Sequence, residues 1–179
     1  QYNAIKYFIE SQNCDAVGGG VVIFAAGNDA TAMSGYPGAY HDYISVTSFS
    51  PDYLPAYYTN YGPGCNISAP GGDYKISADA AKTYAEVLST VPSELSEYNG
   101  ADYGFMQGTS MACPHVSGVA ALGLSYALEK GKKFTLDEFK TMLLTSVNEI
   151  DSRLGEGSKA TIADVSIYRG KMGTGITDA

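Results

Sequence analysis

The stretch Gly108-Thr109-Ser110-Met111-Ala112-Cys113-Pro114-His115-Val116-Ser117-Gly118 decides how this sequence is interpreted. It places a serine directly before a long run of apolar and small residues. The first turn of a helix has backbone N–H groups without intrahelical partners, and the helix dipole there favours negative charge. Both would stabilise an oxyanion beside Ser110. The pattern predicts a serine nucleophile at the start of a buried helix running to about Leu128, although a capped core helix with an incidental serine also fits.

A second segment ends at a point where ligand sites are common. Residues 21–26, Val-Val-Ile-Phe-Ala-Ala, form a continuous apolar run, which is typical of a parallel strand buried on both faces. The run predicts an interior strand that ends at Gly27-Asn28. In open α/β sheets, ligands bind just beyond the carboxyl ends of strands. Asn28 could therefore donate its amide to a substrate oxygen, or it could simply make a turn.

These two segments resemble motifs of the subtilisin-like serine peptidases. The stretch from Gly108 to Gly118 is similar to the family's serine-nucleophile motif, and Ala25-Ala26-Gly27-Asn28 is similar to its oxyanion-hole motif. The resemblance implies that Ser110 is the nucleophile. It also implies that the Asn28 amide and the Ser110 backbone N–H hold the oxyanion of a peptide bond under attack.

A serine hydroxyl needs a base, and the base needs an orienting group. The chain has two histidines. His115 lies inside the serine motif and, by resemblance, is the family's non-catalytic motif histidine, packed on its helix. His41 is followed by Asp42, but adjacent side chains in an extended segment point to opposite faces, so this pair is expected to make a poor dyad.

The resemblance covers essentially the whole chain and implies its fold. We expect an α/β, subtilisin-like architecture with a mostly parallel sheet flanked by helices, incomplete at its N-terminal side. Residues 1–179 would be the C-terminal portion of a single peptidase domain. The family's Asp-Ser-Gly or Asp-Thr-Gly and His-Gly-Thr motifs should precede Asn28, and neither is present. The chain is therefore expected to be inactive alone, while the full-length protein is a serine endopeptidase.

Two other functions compete with this one. The related serine-carboxyl peptidases also have a Gly-Thr-Ser nucleophile motif, but they use an acid at the oxyanion position and a glutamate base. Asn28 and the Met-Ala-Cys-Pro-His continuation favour the subtilisin-like interpretation. A catalytically dead subtilisin-like module with a binding or structural role is the alternative outside the enzymes. The presence of both Ser110 and Asn28 argues against it.

Composition and charge limit the partners. Hydrophobic residues make up 45% of the chain, which favours a packed core. The net charge of −8 argues against nucleic-acid binding, and no run looks long and apolar enough to span a membrane. A polypeptide substrate and a secreted, periplasmic or cell-surface location follow from the resemblance. Exposed apolar surface on an incomplete domain would also favour self-association.

No cofactor is expected to be required. Members of the family often bind calcium, so structural calcium is possible, but no dense acidic loop places a site. Cys14, Cys65 and Cys113 show no metal-ligand spacing. Elsewhere, the alternating residues 43–48 are a predicted strand, and Thr135 with Glu138 has capping-box spacing. By resemblance, residues 66–72 contain the family's strand that ends in Ala-Pro-Gly, and residues 73–86 are an insertion on a loop.

Overall fold

The computed structural model describes residues 1–76, 85–94, 100–154, 159 and 161–177. Of the predicted insertion over 73–86, residues 77–84 lie outside this part of the chain. Nine strands are assigned in the described residues: β1 Val17–Gly18, β2 Ile23–Ala25, β3 Ile44–Phe49, β4 Ile67–Pro70, β5 Val87–Thr90, β6 Tyr103–Met106, β7 Phe134–Thr135, β8 Val147–Asn148 and β9 Ile176–Thr177. The helices are α1 Tyr2–Ser11, α2 Thr109–Glu129 and α3 Leu136–Thr145, with short 3-10 helices at Tyr74–Ile76, Asp151–Leu154 and Val165–Tyr168.

The principal sheet is mostly parallel. Its strand order is β2-β3-β4-β9-β8, with parallel pairing from β2 to β9 and an antiparallel β8 at one edge. All six residues of β3 are buried, so this strand forms the centre of the core. Two small sheets lie outside it, a parallel pair β1-β7 and an antiparallel pair β5-β6. The predicted α/β architecture is confirmed.

Strand β2 differs from its prediction. It covers Ile23–Ala25 instead of residues 21–26, and its three residues are only half-buried. Within the described residues it is the edge strand of the principal sheet, paired with β3 alone, so the expected interior position is wrong for this part of the chain. An apolar run shows that a strand can be buried on both faces, but it does not show how many neighbours the strand has.

Helix α2 packs one face on the sheet. The helix contacts β2, β3 and β4, and its buried residues follow a helical spacing: Thr109, Ala112, Val116, Ala120 and Ala127. The opposite face is open, because Leu122, Tyr126 and Leu128 are 66%, 62% and 55% exposed. The predicted helix length is confirmed, whereas burial all round is wrong for the described structure. A helix with apolar residues on every side still buries only the side that meets a packing partner.

Helix α3 begins with the predicted capping box. Glu138 N–H donates to Thr135 Oγ1 at 3.2 Å, and the Glu138 carboxylate accepts from Thr135 N–H at 2.8 Å. Phe139 and Leu143 then bury the inner face of α3 against the core around β3 and α2. The capping box therefore fixes where the chain enters α3.

Candidate functional site

Asn28 and Ser110 lie at the same end of the sheet. Asn28 comes three residues after the end of β2, and Ser110 is the second residue of α2. The turn before α2 is attached to the end of β4, because Gly108 N–H donates to Gly71 O at 2.9 Å. The carboxyl ends of two parallel strands and the amino end of a helix therefore meet at one edge, as is usual for ligand sites in open α/β sheets.

Thr109 fixes the orientation of the Asn28 side chain. The backbone N–H and the hydroxyl of Thr109 both donate to Asn28 Oδ1 at 2.9 Å. The Thr109 hydroxyl in turn accepts Gly27 N–H at 3.2 Å. A backbone N–H can only donate, so the amide oxygen of Asn28 must face Thr109. The amide nitrogen is thereby left to point away, as a donor.

Gly108 shows where the free donors converge. A Cβ placed on this glycine would lie 3.5 Å from Asn28 Nδ2 and 3.6 Å from Ser110 N. Both nitrogens are therefore within 3.6 Å of one point, and the glycine leaves that point open. Gly108 also has φ of 147°, a conformation that L side chains rarely adopt. The turn thus needs glycine both for its backbone and for the space between the two donors.

Ser110 is exposed, whereas Thr109 beside it is fully buried. Its N–H belongs to the first turn of a long helix, where it has no intrahelical partner and the dipole is positive. Among the described residues, no side chain forms a hydrogen bond with the Ser110 hydroxyl. The arrangement can stabilise negative charge beside Ser110, but this part of the chain supplies no group that would take its proton.

The His41 and Asp42 side chains meet, contrary to the expectation that they point to opposite faces. His41 Nε2 lies 3.1 Å from Asp42 Oδ1, and Asp42 Oδ2 accepts the Tyr2 hydroxyl at 2.9 Å. The expected extended segment is wrong, because residues 41–43 form a turn. The pair nevertheless lies before β3, while Asn28 follows β2. Since Ile23 pairs with Ile44 in parallel register, the two lie at opposite ends of the sheet.

His115 is turned back onto its own helix. Its Nδ1 is 2.8 Å from the Met111 carbonyl oxygen, one helical turn away. The imidazole makes no hydrogen bond to Ser110, which agrees with the non-catalytic assignment, although its side chain is exposed and not packed. A cleft of about 280 Å³ lies beside it, between β5 and the first turns of α2, and is lined by Val87, Leu88, Ser89, Met111, Pro114 and His115.

The thiol of Cys113, three residues after Ser110, is not activated as a nucleophile. Cys113 is half-buried, and its Sγ lies 3.6 Å from Ile23 O. Burial raises the pKa of the Cys113 thiol, so it remains protonated at neutral pH. Cys14 and Cys65 are also free, and burial raises the pKa of Cys65 to about 12.

Sequence reasoning missed one residue of the site, Thr109. Its position directly before the serine gave only a weak signal, because threonine is common at helix starts. The described residues also contain no cluster of three or more His, Cys, Asp or Glu side chains that could hold a metal ion. The possibility of structural calcium stays a prediction.

Comparison with known proteins decides the family. The model of the Subtilase family, peptidase S8, matches residues 3–160. The chain belongs to the subtilase family. This subtilase chain is 32% identical over 149 residues to the Extracellular basic protease of Dichelobacter nodosus, covering 83% of this chain and 23% of that protein. It is 38% identical over 110 residues to the Extracellular protease of Xanthomonas campestris pv. campestris, covering 61% and 17%.

Solved structures agree with this assignment. A protease from Pseudoalteromonas arctica superimposes with a TM-score of 0.60 at 31% identity, over 88% of this chain and 40% of that chain. A lanthipeptide protease superimposes with a TM-score of 0.64 at 24% identity, over 88% and 48%, which shows the fold alone. This subtilase chain thus spans less than a quarter of the two curated relatives and under half of these two structures.

Helix α2 of this subtilase chain is the one described helix long and apolar enough to cross a membrane, by length and composition only. Core helices often pass the same test. The first turn of α2 is hydrogen-bonded to Asn28, and one face packs on β2, β3 and β4. These contacts are those of a core helix, so α2 is weak evidence for a membrane span.

Proposed function

We propose that the protein is a serine endopeptidase and that Ser110 is its nucleophile. Ser110 Oγ forms a bond to the carbonyl carbon of a peptide, its proton passes to a base, and the carbonyl electrons collect on the oxygen. Asn28 Nδ2 and Ser110 N–H would hold that oxyanion. The C–N bond then breaks, the base returns the proton to the amine, and water hydrolyses the acyl-enzyme that remains.

The observation that carries this proposal is the orientation of Asn28. Two donors from Thr109, each at 2.9 Å, hold its amide oxygen, so Nδ2 stays available to a ligand. Such a donor is fixed before substrate arrives and needs no reorganisation during the reaction. If Asn28 only formed a turn, its amide oxygen would not need two hydrogen bonds from Thr109, the residue next to the exposed Ser110.

The base has to come from elsewhere in the protein. No described residue forms a hydrogen bond with the Ser110 hydroxyl, and the imidazoles of both histidines meet other groups, Asp42 Oδ1 and Met111 O. In the subtilase family the base is a histidine oriented by an aspartate. We propose that residues outside the described part of this chain supply both groups, and that the 179-residue chain alone lacks normal peptidase activity.

A labelling experiment identifies the nucleophile. The full-length protein is treated with a fluorophosphonate, a reagent that phosphonylates the activated serine of serine hydrolases. The adduct is then located by mass spectrometry. The expected result is an adduct on Ser110 that is absent from Ser110→Ala and retained in Ser117→Ala, an exposed serine on the same helix. An adduct on another residue contradicts the assignment. If the protein is folded and forms no adduct, the result favours the catalytically dead subtilisin-like module.

The oxyanion role of Asn28 predicts a separate effect. In subtilisin, itself a member of this family, removal of one oxyanion donor lowers kcat by about 10²–10³. We expect a loss of that order for Asn28→Ala, with a small change in KM. The matched control is Asn13→Ala, because Asn13 is exposed and its side chain accepts a hydrogen bond from the exposed Lys133. Equal activity of the two variants contradicts the role.

We also propose that the protein is secreted. The two relatives described above are named as extracellular proteases, and a polypeptide substrate outside the cell fits an endopeptidase. Detection of the protein in culture medium, with an intracellular marker absent, tests this. Retention of all the protein inside intact cells contradicts it.

A further inference from the structure

A buried ion pair lies beneath the turn that carries the candidate nucleophile. Asp73 is fully buried, and its Oδ2 accepts Lys159 Nζ at 2.8 Å. The Lys159 side chain is only 4% exposed. Burying two charges is costly unless their geometry is good and the remaining donors and acceptors are satisfied. A buried pair of this kind is therefore expected to hold particular segments of the chain in place.

The lysine end is fully satisfied. An ammonium group has three N–H donors, and Lys159 Nζ has three close oxygen partners: Asp73 Oδ2 at 2.8 Å, Ser50 Oγ at 2.7 Å and Pro55 O at 2.9 Å. A second carboxylate, Asp52, lies at 3.4 Å. The three partners fix the direction from which the ammonium meets Asp73.

The aspartate end joins two segments of chain. Asp73 Oδ2 accepts Tyr57 N–H at 3.1 Å, and Asp73 Oδ1 accepts Lys75 N–H at 2.9 Å. Asp73 N–H also donates to Ala85 O at 2.8 Å. The carboxylate thus ties the chain after β4 to the loop that contains Tyr57.

These same two segments hold the residues just before Ser110. Gln107 Oε1 accepts Tyr74 N–H at 2.9 Å, and Gln107 Nε2 donates to the Tyr57 hydroxyl at 3.2 Å. Gly108 N–H donates to Gly71 O at 2.9 Å. Both partners of the Gln107 side chain therefore come from residues adjacent to, or bonded to, Asp73.

We propose that the Asp73–Lys159 ion pair is a positioning device for the turn Gln107–Gly108, and so for Ser110, acting through the Gln107 side chain. Neither charge reaches the reacting atoms. The pair fixes Tyr57 and Tyr74, these fix Gln107, and Gln107 with Gly108 sets where α2 begins. Its role in catalysis rests on the proposed peptidase function, but its effect on the turn does not.

The first test measures the turn directly, by hydrogen exchange of the Gly108 amide in the full-length protein. The variant Asp73→Asn/Lys159→Met removes both charges, so no unpaired charge is left buried. We expect Gly108 to exchange about tenfold faster, with the amides of β3 unchanged, because opening would be local. The control Lys6→Met/Glu10→Gln removes an exposed pair on α1. A Gly108 rate within about twofold of the parent contradicts the proposal.

A double-mutant cycle tests the route through Gln107. Gln107→Ala should also speed exchange at Gly108, and adding it to Asp73→Asn/Lys159→Met should have little further effect, since coupled residues are not additive. Fully additive effects contradict this route. If the charge-free variant does not fold, Lys159→Arg keeps the charge, but its planar guanidinium cannot meet the same three oxygens. Unchanged exchange in that variant also contradicts the proposal.

The catalytic arm uses the full-length protein and the fluorophosphonate reaction. Phosphonylation of Ser110, in which Oγ bonds to phosphorus and fluoride leaves, is expected to be about tenfold slower in Asp73→Asn/Lys159→Met than in the parent. The Lys6→Met/Glu10→Gln control should keep both the parental melting temperature and the parental phosphonylation rate. If the parent itself is not phosphonylated at Ser110, the proposed function fails. If the parent is phosphonylated and the folded variant reacts equally fast, only the positioning role fails.

Discussion

Thr109 donates both its backbone N–H and its hydroxyl to Asn28 Oδ1, each at 2.9 Å, although 81 positions of sequence separate the two residues. This contact joins the end of β2 to the start of α2. It also determines which end of the Asn28 amide is free, and the free end is the one that can donate to an oxyanion. The candidate site therefore depends on Thr109, a fully buried residue beside the exposed Ser110.

Replacing Thr109 tests this dependence. Thr109→Val keeps the shape and the backbone donor but removes the hydroxyl, which leaves Gly27 N–H without its partner. We expect the free energy of unfolding to fall by about 1–3 kcal/mol and kcat of the full-length protein to fall more than KM changes. Thr109→Ser retains the hydroxyl and should keep most of the activity. Equal kcat values for the valine and serine variants contradict the account.

Gly108 should tolerate no side chain. In Gly108→Ala the methyl group would lie 3.5 Å from Asn28 Nδ2, where the oxyanion is expected, and the residue would have φ of 147°. We expect loss of activity and a lower melting temperature. Gly118→Ala is the matched control, because the Cβ that alanine adds at this position would lie in open space beside the helix. Alanine is also more favourable than glycine in a helix interior by about 1 kcal/mol. An active Gly108→Ala variant would show that the space between the donors is not used.

The sequence predicted where the two candidate residues lie better than it predicted what surrounds them. Asn28 does follow a strand and Ser110 does stand at the start of a helix, because each position depends on local chain geometry, while their catalytic roles stay predictions. The orientation of Asn28 by Thr109 and the Asp73–Lys159 pair were missed, since they join distant segments and leave no local pattern. The open face of α2 was missed for a similar reason, because apolar composition does not identify the partner that covers it.

The capping box of α3 predicts a pH-dependent contribution to stability. Hydrogen bonds from the Thr135 backbone and hydroxyl lower the pKa of Glu138 below its ordinary value of 4.5. A lowered folded-state pKa stabilises the fold above the unfolded-state pKa, and this is lost as pH falls through the folded-state value. Glu138→Gln should therefore lower the melting temperature at pH 7, and the difference should close below about pH 4. A difference that persists unchanged at low pH contradicts this.

The open face of α2 predicts self-association of the isolated chain. Leu122 and Tyr126 are 66% and 62% exposed and lie one helical turn apart. Apolar surface of this kind favours contact with a second copy. Sedimentation velocity should show species larger than the 18.9 kDa monomer, and Leu122→Lys/Tyr126→Lys should restore the monomer. The control Ile167→Lys changes an exposed residue outside α2 and should leave the larger species in place. A parent chain that sediments as a monomer contradicts the prediction.

The central proposal is that Ser110 cleaves peptide bonds only with a base that the 179-residue chain does not supply. The decisive measurement is hydrolysis of an unfolded protein substrate by the full-length protein and by the 179-residue chain, each with and without Ser110→Ala. We predict turnover by the full-length protein that Ser110→Ala abolishes, and no comparable turnover by the 179-residue chain. Robust turnover by that chain, lost in Ser110→Ala, would contradict the account and show that a base within it, such as His41, reaches Ser110.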